Sequence, residues 1–295
     1  MEEICFELRS EKMVIIATDS AADFELDELK KMNITCLPMS ISFGENTYLE
    51  NISITKEEFF ERIEIDKNFP KTSQPSPALF EELFSSAKEN NDEVVYIPLS
   101  SGISGDYQTA VMVKNLINYD RIWLVDSLTC TGGQRLLVEE AVRMRNAGMD
   151  GKTIFDALEE LKKRAAIYTI MDTMEYLVKN GRLSGRTYRI AKIGHIKPIM
   201  HCSLGTNGKP IIISKHIGMR NAISYVVGRL FAEPPDPKHP IYVMYSYERE
   251  NAIRLADKIR QAGFTIEERQ IVPVGATVGA HVGRNACAIT YIKKN

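Results

Sequence analysis

Residues 94–117 read VVYIPLSSGISGDYQTAVMVKNLI. The first four are β-branched or aromatic, the next eight hold three serines and two glycines, and the last twelve carry apolar residues at helical spacing. A buried strand that leaves through small hydroxyl residues into an amphipathic helix reads as a βα unit. The same order recurs, with MVIIATDS before DFELDELKK and RIWLVDS before GGQRLLVEEAVRMRNAG. Parallel strands need a crossover, which a helix supplies, so the pattern predicts an α/β chain with a mainly parallel sheet in its N-terminal part.

Helix starts are legible around these units. Thr55 with Glu58, Thr153 with Asp156, and Asp172 with Glu175 read as capping boxes or close variants. Ser76 followed by Pro77 reads as an N-cap with proline in the first turn, and Gly181 as the stop of the helix opened at Asp172. ITCLPMSISFGENTYLE predicts two strands joined by a turn at Gly44 to Asn46. Beyond Lys163 the strand pattern restarts with AAIYTIMD and continues through KPIMHCS, GKPIIISKHI, PIYVMYSY and ACAITYIKK. This predicts an N-terminal α/β domain over residues 1–165 and a second α/β domain over 166–295. The proline-rich EPPDPKHP (233–240) is a loop inside the second, since too few residues follow it to form a core alone.

Composition excludes several classes. At 295 residues, with 44% hydrophobic and 26% charged residues, the chain has the composition of a globular protein. Its five cysteines are scattered without a CxxC pair, which signals neither a disulfide framework nor a cysteine zinc site and fits a reducing compartment. MEEICFELRSEK lacks the continuous apolar stretch of a signal peptide, and no run reaches a membrane span, so the expected location is cytoplasmic. The net charge of −2 hides an acid-free interval between Glu175 and Glu233 that holds ten Lys and Arg. That interval reads either as a solvated face or as a docking surface. No nucleic-acid-binding motif accompanies it.

The strand ends are rich in hydroxyls. One strand exits through Thr18, Asp19 and Ser20, another through Ser100, Ser101, Gly102 and Ser104, and a third through Asp126, Ser127, Thr129 and Thr131; KTSQPSP adds Thr72 and Ser73. Taken singly, each is an ordinary cap or turn residue. Along one edge of one sheet, the set suits a carboxylate or another single anion. Phosphate motifs fail: Asn146 stands where a P-loop ending in Gly151-Lys152-Thr153 needs glycine, and Pro210 follows Gly208-Lys209. No GxSxG elbow surrounds Ser104, Ser184 or Ser203, and the histidines lack metal-ligand spacing. His281 stands apart, in a loop VGATVGAHVGR with glycine at every fourth position. A histidine held there can donate to a carboxylate and, with a pKa near neutrality, follow that group's charge.

These residues resemble the DegV family of bacterial fatty-acid-binding proteins. The matching motifs are ATDSAAD (17–23), KTSQPSP (71–77), PLSSGISGDYQ (98–108), VDSLTCTGGQ (125–134), EYLVKNGRLSG (175–185), HIKPI (195–199) and VGAHVG (278–283). The resemblance implies a two-domain α/β protein that binds one long-chain fatty acid, the second domain contributing the acyl-chain cavity. It needs no cofactor besides that ligand. It also implies the role of binding subunit in a two-component fatty acid kinase, in which a separate ATP-binding subunit phosphorylates the carboxyl group for phospholipid synthesis. Carried over by motif, Thr72 and a serine of SSGISG, Ser101 or Ser104, hydrogen-bond the carboxyl group beside His281. Ser73 and Gly102 contribute amides, and Arg182 with Arg220 faces the partner. A carrier also exchanges lipid somewhere, so transient contact with an anionic membrane surface is a further expectation.

Two features depart from the family's pattern. Lys215-His216-Ile217-Gly218 lacks the arginine many relatives have, and His281-Val282-Gly283-Arg284-Asn285 places a charge near the expected headgroup region. The alternative from another class is a stand-alone enzyme acting on a small carboxylic acid or acyl phosphate, with Asp19, Asp126 and His281 as acid–base groups.

Overall fold

The structure, a computed structural model, describes residues 13–183 and 195–294. The N-terminal extension and the Ser184-Gly185 end of the GRLSG motif lie outside the described residues. The first half runs β1 (Val14–Asp19), α1 (Leu26–Met32), β2 (Ile34–Leu37), β3 (Ser40–Phe43), β4 (Asn46–Leu49), α2 (Lys56–Ile65), β5 (Lys71–Ser73), α3 (Pro77–Asn90), β6 (Glu93–Ile97), α4 (Asp106–Ile117), β7 (Ile122–Leu124), α5 (Thr131–Asn146) and α6 (Gly151–Leu161). The second runs β8 (Ala165–Ile170), α7 (Glu175–Lys179), β9 (Ile196–Cys202), β10 (Ile211–Ile217), α8 (Met219–Ala232), β11 (Tyr242–Tyr245), α9 (Glu250–Gln261), β12 (Ile271–Pro273), α10 (Ala276–Val282) and β13 (Cys287–Ile292).

The sheet order β2-β1-β6-β7 is wholly parallel, which is what the repeated βα units require. A small antiparallel sheet, β4-β3-β5, stands beside it. ITCLPMSISFGENTYLE therefore makes three strands rather than two. Pro38 ends β2, which belongs to the parallel sheet, and a turn at Gly44-Glu45 folds β4 back onto β3 with Phe43 opposite Asn46. The third sheet, β10-β9-β8-β13-β11-β12, is antiparallel except for β11 with β12.

The side-chain period of two gives this large sheet two different faces. Along β8, Ala166, Tyr168 and Ile170 pack into the core beneath α8 and α9, whereas Ala165 and Ile167 join the core around α5. Helix α5 is buried over most of its circumference because it packs against β1 and β6 on one side and β8, β11 and β13 on the other. Its TGGQ start follows from that approach: a Cβ on Gly132 would meet the Thr290 methyl group and lie 2.9 Å from Met244 Sδ.

Most caps fall where expected. Thr55 and Glu58 make the reciprocal box of α2, and Pro77 opens α3 after Ser76. Two differ. Helix α6 is capped by Asp150, whose carboxylate accepts the Thr153 N–H at 2.8 Å, rather than by Thr153. Helix α7 begins at Glu175, whose N–H bonds Thr173 Oγ1 at 3.1 Å, while Asp172 forms an ion pair with Lys197 instead. The expected loop VGATVGAHVGR is largely helix α10, and its glycines serve packing: a Cβ on Gly279 would lie 2.6 Å from Phe60 Cζ. No helix among the described residues is long and apolar enough to cross a membrane.

Candidate functional site

The loops that follow β2, β6 and β7 meet one face of the six-stranded sheet, and a void of about 840 Å³, its mouth included, lies between them. Its walls come from both sides of residue 165. Ile167 and Thr169 come from β8, Met171 from just after it, Met200 and Cys202 from β9, Val278, His281 and Val282 from α10, and Leu99, Ile103 and Ser104 from the loop after β6. A smaller void of about 330 Å³ shares Cys130, Ile167, Thr169, Val278 and Val282 and continues toward Met244, Val274 and Ala288. The lining is predominantly apolar, with polar groups gathered at Thr72, Ser73, Gln74, Ser104, Arg182 and His281. That is the composition of a site that buries an apolar body and orients a polar end.

The β6 loop is held by buried carboxylates. Asp19 accepts the N–H of Leu99 at 2.5 Å and of Ala21 at 2.8 Å, and Gln134 Nε2 donates to it at 3.1 Å. Asp106, near enough to Asp19 for each to feel the other's charge, accepts the Tyr96 hydroxyl at 2.9 Å. Burial raises the pKa of both, and the charge of Asp19 raises Asp106 further. Asp126 accepts the N–H of Ser101 at 3.0 Å and of Leu128 at 3.2 Å. Asp19 and Asp126 are thus engaged in shaping loops, and His281 alone of the three acid–base candidates lines the cavity.

Helix α10 is fixed by a second set of acids. Glu50 accepts from Ser20 Oγ and Thr277 Oγ1, each at 2.6 Å, and from the Thr277 N–H at 2.9 Å, while Asp23 accepts the Gly275 N–H at 2.8 Å. So anchored, α10 sets His281 Nε2 2.8 Å from Thr72 Oγ1 on β5. With the ring proton on Nε2, the imidazole donates to Thr72 and leaves the threonine O–H to donate into the cavity. Burial, with the positive charge of Arg182 adding to it, pushes His281 down to about 3. The expectation of a pKa near neutrality is therefore corrected: the ring stays neutral because it is walled in by apolar groups and faces a cation.

This has a measurable consequence. Unfolded, the histidine titrates near 6.5, so between that pH and about 3 the unfolded chain binds the additional proton. The stability of the neutral ring is present above pH 6.5 and is lost as the pH falls toward 3. Urea unfolding of the protein and of His281→Asn is expected to give a stability difference that shrinks steadily over that window. A difference independent of pH would show that the ring titrates in the fold as it does in water.

The other sequence candidates separate. Ser104 lines the cavity; its Oγ accepts the Asp106 N–H at 3.2 Å, and among the described residues its O–H donates to nothing. Ser101 does not line the cavity, because its loop turns toward Asp126. Gly102 is set by packing: its N–H bonds Ser100 Oγ at 3.1 Å, and a Cβ would lie 2.5 Å from the Asn207 carbonyl oxygen. Ser73 is exposed at the mouth. Arg182 lines the cavity, donating to Asn180 O at 2.7 Å and Ile103 O at 3.3 Å, with no acidic partner among the described residues. Arg220 lies elsewhere, in a groove between α8 and α9 on the opposite face of the large sheet. Arg284 also points away from the cavity. It pairs with Glu64 and Glu248 and lies 4.0 Å over the Tyr247 ring, since a cation at that helix end finds acids on α2 and after β11.

Sequence reading missed Gln74, Cys130, Thr169, His201 and Cys202 as lining residues. For Gln74 a signal existed in its neighbours Thr72 and Ser73. The others sit on strands or at a helix start, where only the sheet face decides what they meet.

The chain's relatives share this arrangement of elements. The family profile described as "Uncharacterised protein, DegV family" matches residues 13–294. A DegV domain-containing protein of Halalkalibacterium halodurans is 30% identical over 285 residues, covering 95% of this chain and 99% of its own. Among solved structures, DegV, a fatty acid binding protein from Bacillus subtilis, aligns with a TM-score of 0.79 at 25% identity, over 96% of this chain and 100% of that one. A stearic acid-binding protein from Eubacterium ventriosum aligns with a TM-score of 0.84 at 24% identity, over 96% and 99%. A profile that spans the parallel sheet, the large sheet and the cavity between them places this chain in the DegV family.

Proposed function

We propose that the protein binds one long-chain fatty acid in the cytoplasm. Its tail lies in the paired voids, and its carboxyl group meets Thr72, Ser73, Ser104, His281 and Arg182. It presents that carboxyl group to a separate ATP-dependent kinase subunit for acyl phosphate formation. The observation that carries the reading is the polarity of the cavity: an apolar interior ending in a neutral His281–Thr72 pair beside a cation without an acidic partner among the described residues. The solved structures of fatty acid binding and stearic acid-binding relatives support it.

The physical division of labour follows from magnitudes. Each buried methylene contributes roughly 0.8 kcal/mol, so a dozen supply about 10 kcal/mol before the cost of association. The headgroup contacts chiefly orient the acid. This reading sets the carboxyl end at the mouth, beside the exposed Ser73 and Gln74, where a second protein can reach it.

The test is mass spectrometry of protein purified without detergent, native and after solvent extraction. One C14 to C20 acid per chain is expected, and an empty protein that takes up neither palmitate nor oleate overturns the reading. Thr72→Val, which keeps shape and removes the hydroxyl, is expected to weaken palmitate binding by about tenfold, the effect of one hydrogen bond to a charged group. Unchanged affinity would place the carboxyl group elsewhere. The kinase role is tested by adding ATP and a candidate kinase subunit to the loaded protein, with acyl phosphate as the product sought.

A further inference from the structure

The smaller of the two voids carries a polar point that the headgroup reading does not use. Among the described residues, two of the buried side-chain polar atoms without a hydrogen-bond partner belong to residues that line the paired voids. One is His281 Nδ1, part of the polar end already described. The other is Thr131 Oγ1, in the wall of the smaller void, on a residue only 3% exposed. A buried hydroxyl left unpaired is costly, so its presence in that wall asks what group meets it.

The surroundings of Thr131 answer in one sense. It is the first residue of the 16-residue helix α5, whose N-cap Cys130 gives no side-chain cap. The first backbone bonds at this end run from Gly133 and Gln134 to Cys130 O at 3.0 and 3.4 Å. The N–H groups of Thr131 and Gly132 have no protein acceptor among the described residues, and the positive end of the helix is left without an anion. Thr169 of β8 lines both voids where they join, and its hydroxyl likewise bonds no protein group among the described residues. Ser246, also in this wall, is engaged: its Oγ accepts the Ala286 N–H at 2.9 Å. Two threonine hydroxyls free to donate thus line a void whose other walls include Val274, Val278, Val282 and Ala288.

We propose that the smaller void selects a fatty acid with a hydroxyl group near mid-chain, its oxygen accepting from Thr131 and Thr169 at the start of α5. This deepens the fatty-acid reading and rests on it. In that reading the carboxyl group lies in the larger void at Thr72 and His281, so an oxygen where the two voids join falls near the middle of the chain.

The selectivity follows from desolvation. A saturated tail leaves Thr131 unpaired and gains nothing from it. A mid-chain hydroxyl entering a wholly apolar void would lose its water without compensation and bind about tenfold more weakly than the plain chain. Entering this void, it exchanges water for threonine donors and pairs the buried hydroxyl, so the sign of the preference reverses.

Delipidated protein is titrated calorimetrically with stearate, 10-hydroxystearate and 12-hydroxystearate. At least one hydroxy acid is expected to bind about tenfold more tightly than stearate, the effect of one or two neutral hydrogen bonds. Thr131→Val keeps the branched shape at φ 48° and is expected to bring that ratio to one or below, whereas Thr131→Ser retains it. Thr169→Val, on a strand that favours valine, removes the second donor and also lowers the ratio, an independent check if Thr131→Val does not fold. Equal or weaker binding of both hydroxy acids, with stearate still bound, overturns the subsite and leaves the fatty-acid reading standing. A preference undiminished in the folded valine variants overturns it as well, since the hydroxyl is then met elsewhere. If none of the acids binds, the fatty-acid reading falls and takes the subsite with it.

Discussion

Thr169→Trp is expected to abolish fatty-acid binding while the protein stays folded. Thr169 lies on β8 between Met200 and Ala288 and lines both voids, so an indole there occupies space that a tail would fill. Losing the contacts of even four methylenes removes about 3 kcal/mol, or more than a hundredfold in affinity. The residue is half-buried, its side chain facing the void, so the larger ring enters empty space instead of a packed core. Palmitate titration calorimetry together with lipid extraction reads the loss, and thermal unfolding by circular dichroism checks the fold. Undiminished binding in a folded Thr169→Trp protein would show that the tail lies outside these voids.

The second large effect is on stability. Gly279→Leu is expected to destabilise the protein by about 3 kcal/mol, at the upper end of what overpacking costs. The Cβ alone would approach Phe60 Cζ to 2.6 Å and Phe59 Cε1 to 3.0 Å, and both rings are fully buried and pack edge to face. They have nowhere to retreat, so α10 must move away and take His281 from Thr72. Urea unfolding and palmitate affinity should therefore fall together. Gly228→Ala in α8 is the control: nothing lies within 4 Å of its added Cβ, and the change is expected to stabilise by about 1 kcal/mol through helix propensity. A Gly279→Leu protein as stable as the parent would mean that α10 does not pack on α2 as described.

Both effects bear on how the site is assembled. The polar residues at the mouth of the cavity are held in place by their neighbours. Thr72 depends on β5 pairing with β3, His281 on the Glu50 and Asp23 anchors of α10, and Ser104 on the Asp19–Asp106 pair beneath its loop. Apart from that strand pairing, the anchors include Glu50, Asp23 and Asp19, buried acids that accept backbone N–H groups, a costly arrangement unless the bonds are made. The polar end of the cavity is thus held by acids that do not themselves line it.

The sequence by itself determined the βα order of the first half, the hydroxyl-rich strand exits, and the strands after Lys163, because period and turn chemistry are local properties. Motif resemblance singled out Thr72, Ser104 and His281, whose neighbours are distinctive along the chain. Only the tertiary structure decided which of two serines faces the void, that Gly102 is required by the Asn207 backbone, and that Arg182 enters the cavity while Arg220 lies across the sheet. It alone set the charge state of His281, since a pKa depends on burial and on a cation 99 positions away in sequence. The cavity itself was illegible for the same reason. Its walls are ordinary apolar residues of β8, β9 and α10, and what makes them a site is the gap left where two sheets and a short helix meet, a property of packing that no local stretch encodes.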